Sequence, residues 1–108
     1  MLMKIETKDR IRRFSLERDY EQFHTPANLA KSICIESSEL LECFQWDEGN
    51  FDLECVKEEL ADILVYCQNL LDRLCLDEDD IINAKMAKNE EKYPVDKAKG
   101  NSRKYNKL

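Results

Sequence analysis

Two pairs of acidic residues lie inside apolar stretches of this chain, and each pair has the spacing of neighbours on a helix surface. Glu36 and Glu39 belong to ESSELLECFQW, and Glu59 and Asp62 belong to EELADILVY. If both stretches are helical, each pair shares one helix face, where like charges repel by a few tenths of a kcal/mol. Four carboxylates on facing helices supply hard oxygen ligands, which suit Mg²⁺ or Mn²⁺ better than Zn²⁺.

The first pair interrupts what is otherwise an apolar helix face. At about 100° per residue, Glu36 falls in the middle of the stripe and Glu39 at its edge. The stripe consists of Leu29, Ile33, Leu40 and Phe44. A desolvated carboxylate is costly unless it is paired or bound to a cation. The position therefore favours a metal site, and Mg²⁺ held there would assist attack of water on a phosphoryl group.

The second pair lies beside the apolar face of the following helix. Glu59, Asp62 and Tyr66 share one flank of it. The predicted apolar face consists of Leu53, Val56, Leu60, Ile63, Leu64, Cys67 and Leu71. A solvated acidic surface remains the alternative, because Glu-x-x-Glu spacing is common in highly charged helical proteins.

The positions of capping residues, glycine and proline predict an all-α, single-domain protein of four helices and a basic tail at about 94–108. We expect helix one over about Thr7 to Glu21 and helix two from Thr25-Pro26 to about Trp46. The first two residues of helix two are a capping residue and a proline suited to the first helical position. Asp52 is expected to cap helix three, which runs to about Cys75, and Asp77 to cap helix four, which ends near Pro94.

Composition limits the cellular setting and the partners. Of 108 residues, 37% are charged, and the net charge of −6 divides into about +4 from Pro94 onward and −10 before it. An acidic body predicts no nucleic-acid binding. The lack of a long apolar run or signal core predicts a cytoplasmic protein without a membrane span. Five cysteines without a Cys-x-x-Cys pair are expected to be small buried hydrophobes in a reducing compartment.

His24, Trp46 and Tyr66 each have an ordinary structural interpretation. Glu21-x-x-His24 has the spacing of one ligand pair of a ferritin-like di-iron bundle, but that architecture needs two such pairs. A lone histidine before a helix is more often a packing or capping residue. The two aromatic residues fit a core, or, beside a metal site, they would stack on a nucleobase.

The paired motifs and their flanking blocks resemble the all-α nucleoside triphosphate pyrophosphohydrolases of the MazG-like superfamily. The matching segments are ERDYEQFHTPANLA, ESSELLECFQW, EELADILVY and AKMAKNEEKYPVDKAKGNSRKY, which lie within roughly residues 7–105. The F-H, F-Q-W and Y-P-V blocks most resemble the small dCTP pyrophosphatase group. The resemblance implies a four-helix bundle-like fold that assembles as a homodimer or as a homotetramer, a dimer of dimers.

The resemblance also implies Mg²⁺-dependent hydrolysis of a nucleoside triphosphate, dCTP or a modified nucleotide, to the monophosphate and pyrophosphate. The implied metal ligands are Glu36, Glu39, Glu59 and Asp62, with Glu36 or Glu39 preparing the attacking water. The implied substrate contacts are Tyr20, His24, Trp46, Tyr66, Lys85, Asn89, Lys92, Tyr93, Arg103 and Lys104. The alternative function is a non-catalytic homologue that serves as a helical oligomerisation or regulatory partner.

Two departures from the dCTP pyrophosphatase group bear on the substrate. Tyr20 stands where members of that group carry tryptophan, which predicts a looser or differently selective base pocket. The Glu48 to Asp52 loop is short, which predicts altered access to the site.

Overall fold

A computed structural model describes residues 3–108, which form helices and turns without a β-strand. The α-helices are α1 (Ile5–Glu17), α2 (Pro26–Glu42), α3 (Leu53–Arg73), α4 (Glu78–Lys92) and α5 (Val95–Ala98), with 3₁₀ helices at Tyr20–Phe23 and Tyr105–Lys107. The all-α prediction is confirmed. None of these helices has both the length and the apolar character needed to span a bilayer.

The three predicted helix caps form as expected. The side chains of Thr25, Asp52 and Asp77 accept backbone N–H hydrogen bonds from the first turns of α2, α3 and α4, at 3.0–3.1 Å. Each bond satisfies a donor that has no partner within its helix. The sequence therefore locates the starts of these helices to the residue.

The prediction for the end of helix one is wrong. α1 begins at Ile5 and stops at Glu17, because Asp19 takes a left-handed conformation with φ 54°. Aspartate tolerates this conformation better than most residues. The Gln22 amide holds the turn by donating to the Asp19 carboxylate at 3.0 Å, and residues Tyr20–Phe23 continue as a 3₁₀ helix.

Helix two also ends earlier than predicted, at Glu42 rather than Trp46. Residues 43–45 turn through i→i−3 hydrogen bonds, and the Asp47 carboxylate then accepts from the backbone N–H groups of Gly49 and Asn50. The Phe44 ring packs on Phe51, with 4.7 Å between ring centroids. Trp46 lies in this connection and is 90% exposed.

The chain forms two compact units that divide between Cys75 and Leu76. In the first unit, α2 and α3 pack against each other as an antiparallel hairpin, and α1 packs on α3. Leu29 is the only fully buried large hydrophobic residue in the described part of the chain. The α1–α3 contact is anchored by Arg12, whose guanidinium donates two hydrogen bonds to the Asp72 carboxylate at 2.9 and 3.0 Å.

Two predictions about burial are wrong. On α3, Leu53, Leu60 and Leu64 are 56%, 45% and 50% exposed, so this part of the predicted apolar face is not a core within the chain. Cys34 and Cys75 are exposed rather than buried, and Cys75 lies beyond α3 in a left-handed conformation with φ 55°. The acidic flank of α3, not its leucine stripe, faces α2.

Candidate metal centre and adjoining pocket

The four predicted carboxylates come together between α2 and α3. One oxygen atom from each of Glu36, Glu59 and Asp62 lies within 4.8 Å of the others. Glu39 lies beside Glu36 and Glu59, and its carboxylate contributes to the raised pKa of both. The antiparallel hairpin produces this cluster, since the i, i+3 pair on each helix faces the pair on the other.

The cluster is electrostatically strained when no cation is bound. Burial is the largest cause that raises the pKa of Glu36 to about 7, and the neighbouring carboxylates raise it further. Burial also raises the pKa of Glu59. The Oε2 atoms of Glu36 and Glu59 are both buried without a hydrogen-bond partner. Buried polar atoms ordinarily have partners, so these two oxygens mark a place where a ligand fits.

A small divalent cation fits this donor set. Mg²⁺ binds oxygen at about 2.0–2.1 Å, so two oxygens on opposite sides of the ion lie roughly 4 Å apart. The oxygen atoms of the cluster lie within 4.8 Å of one another, which is close to that separation. Side-chain movements that shift each oxygen by less than about 1 Å would bring them to the distances that Mg²⁺ requires. An all-oxygen set is typical of Mg²⁺ or Mn²⁺ sites. Glu36, Glu59 and Asp62, with Glu39 beside them, are the residues that would hold the ion.

A pocket of about 560 Å³ adjoins the acidic cluster within the first unit. It lies between α1, the connection to α2, and α3. Its wall consists of Thr7, Arg10, Ile11, Phe14, Ser15, Tyr20, His24, Asp62, Val65, Tyr66 and Asn69. Asp62 belongs to both the cluster and the pocket, so a molecule in the pocket would lie next to the carboxylates.

Three of the four predicted base-pocket residues line this pocket. Tyr20, His24 and Tyr66 are in its wall, and the Tyr20 ring centroid lies 6.2 Å from that of His24 and 6.0 Å from that of Phe14. Trp46 is not: the early end of α2 leaves its side chain exposed in the connection to α3. The predicted contact of Trp46 with substrate stays a prediction.

Comparison with known proteins agrees with this geometry. The sequence profile of the MazG-like family matches residues 31–108, which is more than half of the chain. The chain belongs to the MazG-like family. The match spans α3 and most of α2, which carry all four carboxylates, and it continues through the second unit.

Individual members of the family are similar over most of this chain. The dCTP pyrophosphatase 1 proteins of Mus musculus and Bos taurus are 36% and 38% identical over 88% of it. The chain spans only 61–62% of the length of these relatives. A crystal structure of a pyrophosphatase from Archaeoglobus fulgidus is 40% identical, covers 82% of this chain and 90% of its own, and superposes with a TM-score of 0.73.

The remaining predicted substrate contacts lie in the second unit of this MazG-like chain. The Lys92 and Lys104 ammonium groups lie 4.8 and 6.0 Å from the centroid of the Tyr105 ring, and the Tyr93 ring meets Tyr105 edge-on at 6.3 Å. Lys85 and Asn89 are four residues apart on α4. The Arg103 backbone N–H donates to the Asn101 side chain at 3.0 Å. Their contact with substrate stays a prediction.

Residues of the pocket that the sequence interpretation missed come mainly from α1. Arg10 lines the wall without a hydrogen bond or ion pair in the described structure, and Ser15 is buried there at 5% exposure. On α3, Asn69 follows Asp62 and Tyr66 at i+7 and i+3, which is the spacing of one helix face. That spacing predicts Asn69 from the sequence alone. Nothing comparable predicts Arg10, because the packing of α1 decides which of its faces meets the pocket.

Proposed function

We propose that this MazG-like chain hydrolyses nucleoside triphosphates to the monophosphate and pyrophosphate with the help of Mg²⁺, which Mn²⁺ can replace. The substrate we favour is dCTP or a modified nucleotide, because the similar proteins include dCTP pyrophosphatases. One observation carries the proposal: Asp62 is shared by the acidic cluster and by a pocket lined with Tyr20, His24 and Tyr66. A nucleotide whose base lies in the pocket would have its phosphates beside the carboxylates.

The residues of the site have distinct parts in this reaction. Tyr20, His24 and Tyr66 offer ring faces on which a base and sugar can pack. When bound at the carboxylates, Mg²⁺ would supply positive charge against the phosphoryl oxygens and act as a Lewis acid. Glu36 or Glu39 would take a proton from the attacking water, since a carboxylate within hydrogen-bond reach of that water can act as the general base. Water attacks the α-phosphorus, the bond to the bridging oxygen breaks, and pyrophosphate leaves.

The test is product analysis with the purified protein. A panel of canonical and modified (d)NTPs is incubated with Mg²⁺ in ¹⁸O-labelled water, and the products are followed by ³¹P NMR. We expect pyrophosphate and a labelled nucleoside monophosphate. Label in free phosphate, with a nucleoside diphosphate accumulating, would contradict the proposed geometry. Turnover should be lost in Glu36→Gln and kept in Glu42→Gln, a matched change at the exposed end of the same helix.

We also propose that residues 1–108 act as one family domain and associate as a homodimer or dimer of dimers. The family match spans both units, which supports a single domain.

The leucine stripe of α3, Leu53, Leu60 and Leu64, is about half exposed, and a second copy would cover it. Light scattering of the wild type should give twice or four times the chain mass. Leu60→Glu should reduce the mass, whereas Glu58→Lys on another face of α3 should not; a monomeric wild type would overturn the idea.

A further inference from the structure

The acidic cluster is followed by a second side-chain pair in the same hairpin. Cys43 lies four residues after Glu39 at the C-terminus of α2, and Cys55 lies four residues before Glu59 in the first turn of α3. Because the helices are antiparallel, these equal steps keep the two cysteines opposite each other. The thiols form the next layer after the carboxylates, towards the connection between the helices.

The two thiols lie close enough to influence each other. A hydrogen bond with Cys55 is the largest cause that raises the pKa of Cys43 to about 11, and both cysteines are half-buried and free. The Cys43 thiol also donates to the Glu39 carbonyl oxygen at 3.7 Å, one turn earlier in α2. The two thiols can therefore meet without a rearrangement of either helix.

The separation of packed helices permits a disulfide at this position. Helix axes in contact lie about 8–10 Å apart, and each Cα lies about 2.3 Å from its axis. Facing Cα atoms can therefore approach to about 3.4–5.4 Å, which overlaps the 4.4–6.8 Å range of disulfides. Cys43 also lies at the end of α2, where the backbone already leaves regular helix through i→i−3 hydrogen bonds. This end of the hairpin can adjust more easily than the middle.

We propose that Cys43 and Cys55 form a reversible redox site, closed by an intramolecular disulfide between their sulfur atoms. With oxidised glutathione as the oxidant, one cysteine thiolate attacks a sulfur of the small disulfide and releases one glutathione. The second cysteine then attacks the protein sulfur of the mixed disulfide and releases the other glutathione. Two electrons pass to the oxidant, and the two thiol protons end on the two glutathione molecules.

The disulfide would tie α2 to α3 one helical turn from Glu39 and Glu59. It would close the segment 43–55, which includes the Asp47 turn and the exposed Trp46. Closing such a loop restricts the unfolded chain, so the oxidised protein should melt at a higher temperature than the reduced protein. The redox site is independent of the proposed hydrolysis, since its formation is read from thiols and mass.

The experiment follows the fate of each cysteine. The full chain is incubated with oxidised glutathione, blocked with N-ethylmaleimide and analysed by intact mass and peptide mapping without reduction. Trypsin leaves Cys34, Cys43 and Cys55 in one peptide, residues 32–57, so a glutamate-specific protease must also cut after Glu42, Glu48 and Glu54. We expect a monomeric species that carries two fewer N-ethylmaleimide groups than the reduced control, with the Cys43 and Cys55 peptides linked and dithiothreitol reversing the change.

Matched variants decide the result. The Cys34→Ser variant should still form the disulfide, and oxidation should raise its melting temperature by about 5 °C or more. The Cys43→Ser variant should not form the disulfide, and oxidation should leave its melting temperature unchanged. The proposal is overturned if Cys43 and Cys55 stay reduced while the exposed Cys34 becomes glutathionylated. It is also overturned if Cys43 links only to another chain. Since Cys34→Ser and wild type retain both thiols, these outcomes remain readable even if Cys43→Ser folds poorly.

Discussion

Mg²⁺ should reverse the order of stability of wild type and the Glu36→Gln variant. The variant keeps the shape of the side chain and removes its charge. Because the folded pKa of Glu36 is raised to about 7, the folded protein binds more protons than the unfolded protein between about pH 4.5 and 7. The metal-free wild type therefore loses stability as the pH rises through that window. At pH 8 it bears the whole penalty, and Glu36→Gln does not.

The stability lost through the Glu36 charge and the stability gained from Mg²⁺ binding are of comparable size. A shift from 4.5 to about 7 corresponds to at most about 3.4 kcal/mol at 1.36 kcal/mol per pKa unit. Since the cluster is partly open to solvent, screening should reduce this to about 1 kcal/mol. In the other direction, Mg²⁺ at a hundredfold excess over Kd stabilises the wild type by about 2.7 kcal/mol. Glu36→Gln therefore gains the roughly 1 kcal/mol of relieved repulsion and loses most of the stabilisation by Mg²⁺.

Thermal unfolding at pH 8, with EDTA and then with Mg²⁺, measures both effects. About 1 kcal/mol corresponds to roughly 4–8 °C for a domain of 60–100 residues. We expect Glu36→Gln to melt several degrees above wild type in EDTA and below it in saturating Mg²⁺. Glu42→Gln, at the exposed end of α2, should follow wild type in both conditions. If Glu36→Gln melts lower in EDTA, or if Mg²⁺ raises both proteins equally, the shared-site reasoning fails.

Three further predictions concern the metal and the pocket. Mg²⁺ must displace a proton from Glu36 below about pH 7, so its apparent Kd, measured by calorimetry, should rise roughly tenfold from pH 6 to 5; a flat profile would exclude this coupling. Arg10→Gln should raise KM by about tenfold while kcat changes little, and equal effects from Arg13→Gln, outside the pocket wall, would argue against a specific contact. Asp72→Asn should weaken the hydrogen bonds that hold Arg12 and lower the free energy of unfolding, measured in urea, by about 1–2 kcal/mol. KM should rise as well, because α1 forms one wall of the pocket. An unchanged urea midpoint would show that the Arg12–Asp72 pair contributes nothing to stability.

The parts of the fold that the sequence predicts are those decided by local chemistry. Thr25, Asp52 and Asp77 cap helices because each oxygen reaches a backbone N–H within its own first turn. The carboxylate pairs were also predictable, since i, i+3 spacing fixes a shared face once the helix is known. These inferences need no knowledge of tertiary packing.

The parts that the sequence does not predict depend on competing turns and on packing. The end of α1 depends on whether Asp19 adopts a left-handed conformation, which the Gln22 hydrogen bond favours but an apolar periodicity cannot reveal. The end of α2 depends on the Asp47 turn and on Phe44 packing against Phe51. Trp46 lies between these features, and so its side chain is exposed and lies outside the pocket wall.

The two special faces of α3 explain why the metal centre and the proposed assembly are linked. Asp62 and Glu59 lie roughly 100–180° around the helix from Leu53 and Leu60, so both sets cannot face α2. If the leucines faced α2, the carboxylates would point away from Glu36, and no cluster would form. The structure turns the carboxylates inward and leaves the leucines half exposed. Burying acidic groups in the hairpin is unfavourable without a cation, and leaving the stripe exposed is unfavourable without a second copy. The proposed metal binding and the proposed association would therefore offset the two costs of one choice, the rotation of α3 about its own axis.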